Sequence, residues 1–177
     1  MSEKVIIDEK TMLRTLARLA HEIIERNPGA ETLCLLGIRR KGVPLAKMIA
    51  ENIERFSEIK VLLGEVDITL YRDDLTQIFP QPQVNNTSID FDVNGKTIIM
   101  VDDVLYTGRT ARAAMDAIMQ LGRPAVIELA VMVDRGHREL PILANYVGKN
   151  IPTSRDEFVS VKLPETDGAA GVSIIRK

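Results

Sequence analysis

The chain has 177 residues, of which 45% are apolar and 27% charged, with a formal net charge of −2. These proportions describe a globular protein long enough to bury a substantial core, and they offer no global attraction to nucleic acid. One cysteine, Cys34, excludes an internal disulfide framework, one cysteine with two histidines makes a poor zinc cage, and no apolar run approaches the roughly 20 residues of a membrane span.

At the N-terminus acidic residues flank a very short apolar stretch, which does not read as a signal peptide, so a cytoplasmic location is expected. Residues Asp8 to Asn27 predict a helix with Leu13, Leu16, Ala20, Ile23 and Ile24 on one face, stopped by Pro28-Gly29. Thr32 to Ile38 is almost wholly apolar and predicts a buried strand. A helix from Val43 to Ile53 follows, with Pro44 in its first turn, where a missing N–H costs little. Lys60 to Leu70 predicts a longer strand.

The stretch 71–94 has no useful period and carries Pro80, Pro82, Asn85 and Asn86; a loop this long predicts a flexible lid or binding loop. Next come a strand from Thr97 to Val101, a polar turn, and a helix through Leu121 with Ala111, Ala114, Met115 and Ile118 on one side. That helix is stopped by Gly122 and Pro124. Ala125 to Val133 predicts another buried strand. Short strand-like pieces remain at Asn145 to Val147, Glu157 to Leu163 and Gly171 to Ile175, and the last of them are expected to form a small cap or hairpin. No repeat, low-complexity tract or linker divides the chain. The expectation is one α/β domain over 1–177, a mostly parallel central sheet with flanking helices.

The segment Asp102-Asp103-Val104-Leu105-Tyr106-Thr107-Gly108-Arg109-Thr110 has an internal logic. An apolar strand carries the chain to the carboxyl edge of the sheet, where ligands of such folds bind. Two carboxylates there are suited to accept hydrogen bonds from vicinal hydroxyls. Thr107 to Thr110 then stand where a helix begins, so free N–H groups, the helix dipole and two hydroxyls can cradle a phosphate. Gly108 permits the tight turn. An Asp-Asp pair alone reads as a helix cap; set between this strand and this helix start, it reads as the sugar-binding half of a site for a phosphorylated ribose. A second candidate is Arg39, Arg40, Lys41 and Gly42, after the first buried strand. Three consecutive cations at a sheet edge can neutralise a pyrophosphate, and composition alone equally allows a solvated basic turn.

The loop from Val101 to Thr110 resembles the phosphoribosyl pyrophosphate (PRPP) motif of type I phosphoribosyltransferases. Together with Tyr71-Arg-Asp-Asp-Leu75 and Val133-Asp-Arg-Gly-His-Arg-Glu-Leu-Pro141 it resembles the bifunctional pyrimidine operon regulator/uracil phosphoribosyltransferase (PyrR) family, from Ala20-His-Glu22 to Lys149-Asn-Ile-Pro-Thr-Ser154. The resemblance implies the type I phosphoribosyltransferase fold with a small hood. It also implies transfer of PRPP's ribosyl phosphate to uracil, with Mg²⁺ carried by PRPP and no protein-built metal site. Asp102 and Asp103 would be catalytic; Val104 to Thr110 and the basic loop would bind substrate. Family members commonly carry Thr-Arg where this chain has Arg40-Lys41, so a bidentate fork is replaced at Lys41 by a point charge. Arg72 stands where it would close over pyrophosphate, or else is an ordinary loop arginine. Arg135 matches a residue near PRPP and base, and Val159 one whose backbone lies near the pyrimidine. No side chain stands out as a general base. A homodimer or higher assembly is implied.

The same resemblance implies UMP- or UTP-responsive binding to pyrimidine-operon (pyr) leader RNA. Lys10, Arg14, Arg18 and His21 recur along the first helix as a stripe, and Arg26, His137, Arg138 and Lys149 would extend it. The alternative is a solvated helix face. Ala17 and Leu143 depart from the Thr and Arg that well-matched regulators carry. A purine phosphoribosyltransferase would share the acidic loop, and a nucleotide-sensing regulator with vestigial catalysis would share both sites.

Overall fold

A computed structural model of the chain describes residues 2–69 and 87–176. Arg72, and with it most of the predicted lid, lies outside the described residues. Five strands form the central sheet: β2 (Thr32–Ile38), β3 (Lys60–Val66), β4 (Thr97–Leu105), β5 (Val126–Asp134) and β6 (Tyr146–Asn150). They lie in the order β3-β2-β4-β5-β6, and every pairing is parallel. A second sheet, antiparallel and in the order β1-β8-β7, joins β1 (Ser2–Ile7) to β7 (Glu157–Lys162) and β8 (Gly171–Arg176). This is the expected hood, with an N-terminal strand that the sequence reading left out.

The central strands are buried on both sides, and their side chains alternate between two cores. Leu33, Leu35, Ile99 and Val101 face the core shared with α1 (Glu9–Arg26), α2 (Gly42–Phe56) and the hood. Cys34, Leu36, Ile98 and Met100 face the core under α3 (Arg109–Leu121). Asp8 caps α1 by accepting from the Thr11 N–H at 2.8 Å. The buried stripe of α1 is Met12, Leu16, Leu19, Ala20 and Ile23. Leu13, expected in the core, is 48% exposed. The apolar stripe is therefore rotated towards Met12 and Leu19, because α1 packs against α2 on one side and the β6 edge on the other.

Chain direction across the sheet positions the site. From β2 the chain crosses outward to β3, then returns to lay β4 on the other side of β2, with α2 on one face and α3 on the other. The carboxyl ends of β2 and β4 therefore flank a topological switch point, where crevices open in sheets of this type. The two ends are also pressed together. A Cβ at Gly42 would run into the Val101 carbonyl and crowd the Asp102 backbone, so only glycine lets the end of the basic loop lie against the acidic pair.

Three boundaries differ from the sequence reading. β3 stops at Val66 rather than running to Leu70, its pairing with β2 ending at Ile38 and Val66. β4 runs on to Leu105 through the expected polar turn, because β5 keeps pairing with it as far as Leu105 and Asp134. After the undescribed stretch, Ser88 bridges Glu65 on β3 through two backbone hydrogen bonds of 2.9 and 3.1 Å. Ile89, Phe91 and buried Val93 pack on the α3-side core, so residues 87–94 are anchored rather than part of a lid.

Leu16→Ala is expected to lower the unfolding free energy by about 3 kcal/mol, and Leu13→Ala by less than about 1 kcal/mol. Urea denaturation of the two variants checks the order; equal losses would restore the original phase.

Candidate active site

Asp102 and the continuous run 104–111, joined by Leu129, Val131 and Glu139, line a cavity of about 400 Å³ at the carboxyl ends of β4 and β5. All but one residue of the motif thus meet in one place. The exception is Asp103, which is not among the lining residues; consecutive strand positions point to opposite faces. Its N–H donates to Asp102 Oδ1 at 2.9 Å, and its own Oδ1 accepts from the Val104 N–H at 2.9 Å.

The Asp102 carboxyl is pushed well above the usual carboxylate range. Desolvation at the floor of the site is the larger cause, and the adjacent charge of Asp103 acts in the same direction. A hydroxyl donor arriving here replaces the lost solvation, and a cation also offsets the repulsion. At the other end of the cavity α3 begins at Gly108, whose φ of +93° suits glycine and whose position offers no side-chain cap. The first turn of a 13-residue helix is thus left open to an anion. Thr107 Oγ1 accepts from the Arg109 N–H at 3.3 Å, and Arg109 Nε donates to Glu139 at 2.8 Å.

The loop is held by two arginines from the segment after β5. Arg138 donates to the Tyr106 carbonyl at 2.6 Å, to the Ile142 carbonyl at 2.7 Å and to Asp134 at 2.6 Å. Arg135 is only 6% exposed. It lies over the Tyr106 ring with its guanidinium carbon 4.1 Å from the centroid, and donates to Thr153 Oγ1 and to the carbonyls of Ser154 and Glu157 at 2.7–3.0 Å. Both act through other residues: Arg138 fixes the turn, and Arg135 links Tyr106 to the segment that leads into the hood. Glu139 and Thr153 were missed by sequence reasoning because their partners are 30 and 18 residues away in the chain; Asp134, whose partner Arg138 is four residues on, was read only as the residue following a strand.

The basic loop leaves β2 beside the acidic pair. Its Arg39–Arg40 peptide bond is cis. Val159 lies partly buried on β7 against the α2-side core, outside the cavity lining. Among the described residues no three His, Cys, Asp or Glu side chains gather as a metal cage.

Of the residues read as an RNA face, Arg18, Arg26 and Lys149 adjoin β6, whereas His21 packs on α2 and His137 and Arg138 belong to the segment after β5. Arg18 pairs with Glu22 and donates to the Val147 and Gly148 carbonyls of β6 at 3.2 and 2.5 Å. His21 stacks on Phe56 with ring centroids 4.3 Å apart, and Arg26 lies over the Tyr146 ring at 5.1 Å. Lys149 is exposed on β6, and His137 Nε2 lies 2.6 Å from the Thr153 carbonyl oxygen. Leu143 is 80% exposed. No helix of the described residues is long and apolar enough to cross a membrane.

Asp102 yields a pH-dependent prediction. Its raised folded value means that the folded chain keeps a proton the unfolded chain releases near pH 3.9, roughly the ordinary aspartate value. This contribution to stability therefore falls as pH rises through the window between the two values. Asp102→Asn is expected to raise the melting temperature at pH 8 and to lose that advantage towards pH 4. A gain independent of pH would contradict the assignment.

The sequence pattern of the phosphoribosyl transferase domain family matches residues 4–166. The bifunctional protein PyrR of Clostridium novyi (strain NT) is 59% identical over 99% of this chain and 98% of its own length. Those of Clostridioides difficile (strain 630) and Caldicellulosiruptor bescii are 58% and 59% identical, over 98% and 93% of this chain and 99% and 90% of theirs. Among solved structures, a hypoxanthine phosphoribosyltransferase variant from Trypanosoma cruzi, in a ternary substrates complex, aligns with a TM-score of 0.76 at 20% identity, covering 98% of this chain and 95% of that one. The Staphylococcus aureus hypoxanthine phosphoribosyltransferase aligns at 0.72 and 19% identity, over 95% and 89%. These structural likenesses show the type I phosphoribosyltransferase fold, and the sequence likeness is far closer. The chain belongs to the phosphoribosyl transferase domain family and, within it, to the bifunctional PyrR proteins.

Proposed function

We propose that the chain transfers the ribosyl phosphate of PRPP to uracil, and that the nucleotide-bound protein attenuates pyrimidine genes by binding their leader RNA. The observation that carries the enzymatic half is the convergence of a desolvated carboxylate and an open helix start on one cavity, with the end of the basic loop packed against the strand that carries the acidic pair. In the reaction a uracil nitrogen bonds to the ribose anomeric carbon, the bond from that carbon to pyrophosphate breaks, and the nitrogen's proton is released. Positive charge grows on the ribose ring as pyrophosphate departs. Asp102 at the cavity floor, and Asp103 beside it on the other face of the strand, stabilise that charge, while Thr107 to Thr110 hold the 5′-phosphate. Fixing the two reactants in a water-poor cavity supplies further acceleration.

Mg²⁺ would arrive with PRPP, bound chiefly by phosphate and water oxygens. The residues fit such an ion: two carboxylates, with no cage among the described residues, one of them raised by burial and by its charged neighbour, both of which a nearby cation offsets. It would supply neutralisation of the leaving pyrophosphate. Arg135 and Arg138 enter as supports of the loop, and Val159 as part of the hood beside the base.

Incubation with PRPP, Mg²⁺ and a panel of uracil, guanine, hypoxanthine and xanthine tests the substrate. UMP is the expected product, and a purine nucleotide in its place would overturn the pyrimidine reading. Asp103→Asn is expected to cut the rate by more than about tenfold with the fold preserved; near-normal kinetics would remove Asp103 from the mechanism.

The regulatory half is supported by the close relatives' bifunctional character and by cations along the β6 edge. Arg18 and Arg138 are engaged within the chain, so Arg14, Lys149 and Arg26 are the better phosphate contacts. Filter binding to a pyrimidine leader RNA should tighten with UMP. Leu143→Arg should tighten it further and steepen the salt dependence by about one phosphate contact. Salt-sensitive binding indifferent to UMP and to sequence would reject attenuation.

A further inference from the structure

The three cations of the basic loop are not equivalent. Arg39 is paired with Glu65 of the neighbouring strand, two of its nitrogens lying 3.1 Å from the carboxylate, and a third lies 3.9 Å from Asp67. Lys41 turns the other way, towards the hood. Its Nζ lies 3.0 Å from Asp167 Oδ2 and also donates to the Val161 carbonyl. Asp167 is itself built into the hood, accepting from the Leu163 N–H at 2.9 Å and from Thr166 Oγ1 at 2.8 Å. Those bonds and the Lys41 ammonium hold its carboxyl at about 2, so it stays ionised throughout the physiological range. Arg40 is exposed and, among the described residues, its side chain has no hydrogen-bond or ion-pair partner.

We infer that the loop divides its work, with Arg40 as the cation that engages pyrophosphate and Lys41 as a positioning residue that ties the loop to the hood through Asp167. The inference rests on the phosphoribosyl reading and deepens it. An anion that recruited Lys41 would first have to displace a carboxylate and a carbonyl, whereas Arg40 gives up only water. Its guanidinium also offers the two-pronged geometry that suits phosphate and that an ammonium lacks. The chain thus supplies at position 40 the fork missing from position 41. Because Asp167 belongs to the hood and Lys41 to the loop after β2, their pair also couples the pyrophosphate side of the crevice to the segment beside the base.

UMP carries no pyrophosphate, so it separates this role from a general loss of structure. Calorimetric titration of the full chain with PRPP and Mg²⁺, and separately with UMP, is the test. Arg40→Met is expected to weaken PRPP about tenfold, the effect of one charge-assisted hydrogen bond, while UMP changes by less than about twofold. Asp167→Asn should weaken PRPP selectively too, and should add nothing in the Arg40→Met background, since it acts only by placing Arg40. Lys41→Arg, which keeps a cation opposite Asp167, should bind PRPP nearly as the unaltered chain does. Unchanged PRPP affinity in Arg40→Met overturns the division of labour. So does an Asp167→Asn effect that is equal for the two ligands or additive with Arg40→Met. An unaltered chain that bound neither ligand would overturn the phosphoribosyl reading itself.

Discussion

The central strand delivers two adjacent carboxylates to the edge of the sheet and leaves one of them without adequate solvation. Asp102 closes the floor of a cavity bounded by Leu129, Val131 and Ala111, beside a second carboxylate that it cannot escape. The surrounding architecture answers that constraint. Gly42 lets the basic loop approach the acidic pair at backbone distance, and the open start of α3 supplies the positive end of a dipole across the cavity. The site holds opposing electrostatic demands a few residues apart, and a ligand with hydroxyls at one end and phosphates at the other satisfies both.

Rigidity in this crevice comes from cations that are not themselves facing the ligand. Arg135 and Arg138 use their guanidinium donors on backbone carbonyls and side chains of the turn and of the segment leading to the hood. Arg39 and Lys41 do the equivalent for the loop after β2. A structural arginine with several acceptors preorganises a loop without occupying it, and the entropic cost of ordering falls on folding rather than on ligand capture.

The sheet and most of the cavity were legible in the sequence because their signals are local. Apolar runs such as Thr32 to Ile38 and Thr97 to Val101 have no plausible home but a doubly covered strand, and the helix start after Gly108 follows from the glycine and the hydroxyls around it. Other features were not local. β1 has a charged, mostly exposed sequence and owes its strand state to pairing with β8, 165 or more residues away. The phase of α1 was set by two packing partners, so Leu13 lost its place to Met12 and Leu19. The acidic pair looked like a turn because its residues are polar, yet pairing with β5 extends the strand through it. The engagements of Arg39, Lys41 and Arg138 depend on acceptors 26, 126 and 32 residues distant, which no spacing pattern reveals.

The claim on which the account turns is that Thr107 to Thr110 hold the 5′-phosphate of a ribonucleotide. Amide chemical-shift mapping with UMP and with uridine tests it most directly, since the two ligands differ only in that phosphate. The account predicts that the Thr107, Gly108, Arg109 and Thr110 resonances move strongly with UMP and little with uridine. Equal shifts with both ligands, or UMP-specific shifts confined to other segments, would contradict it.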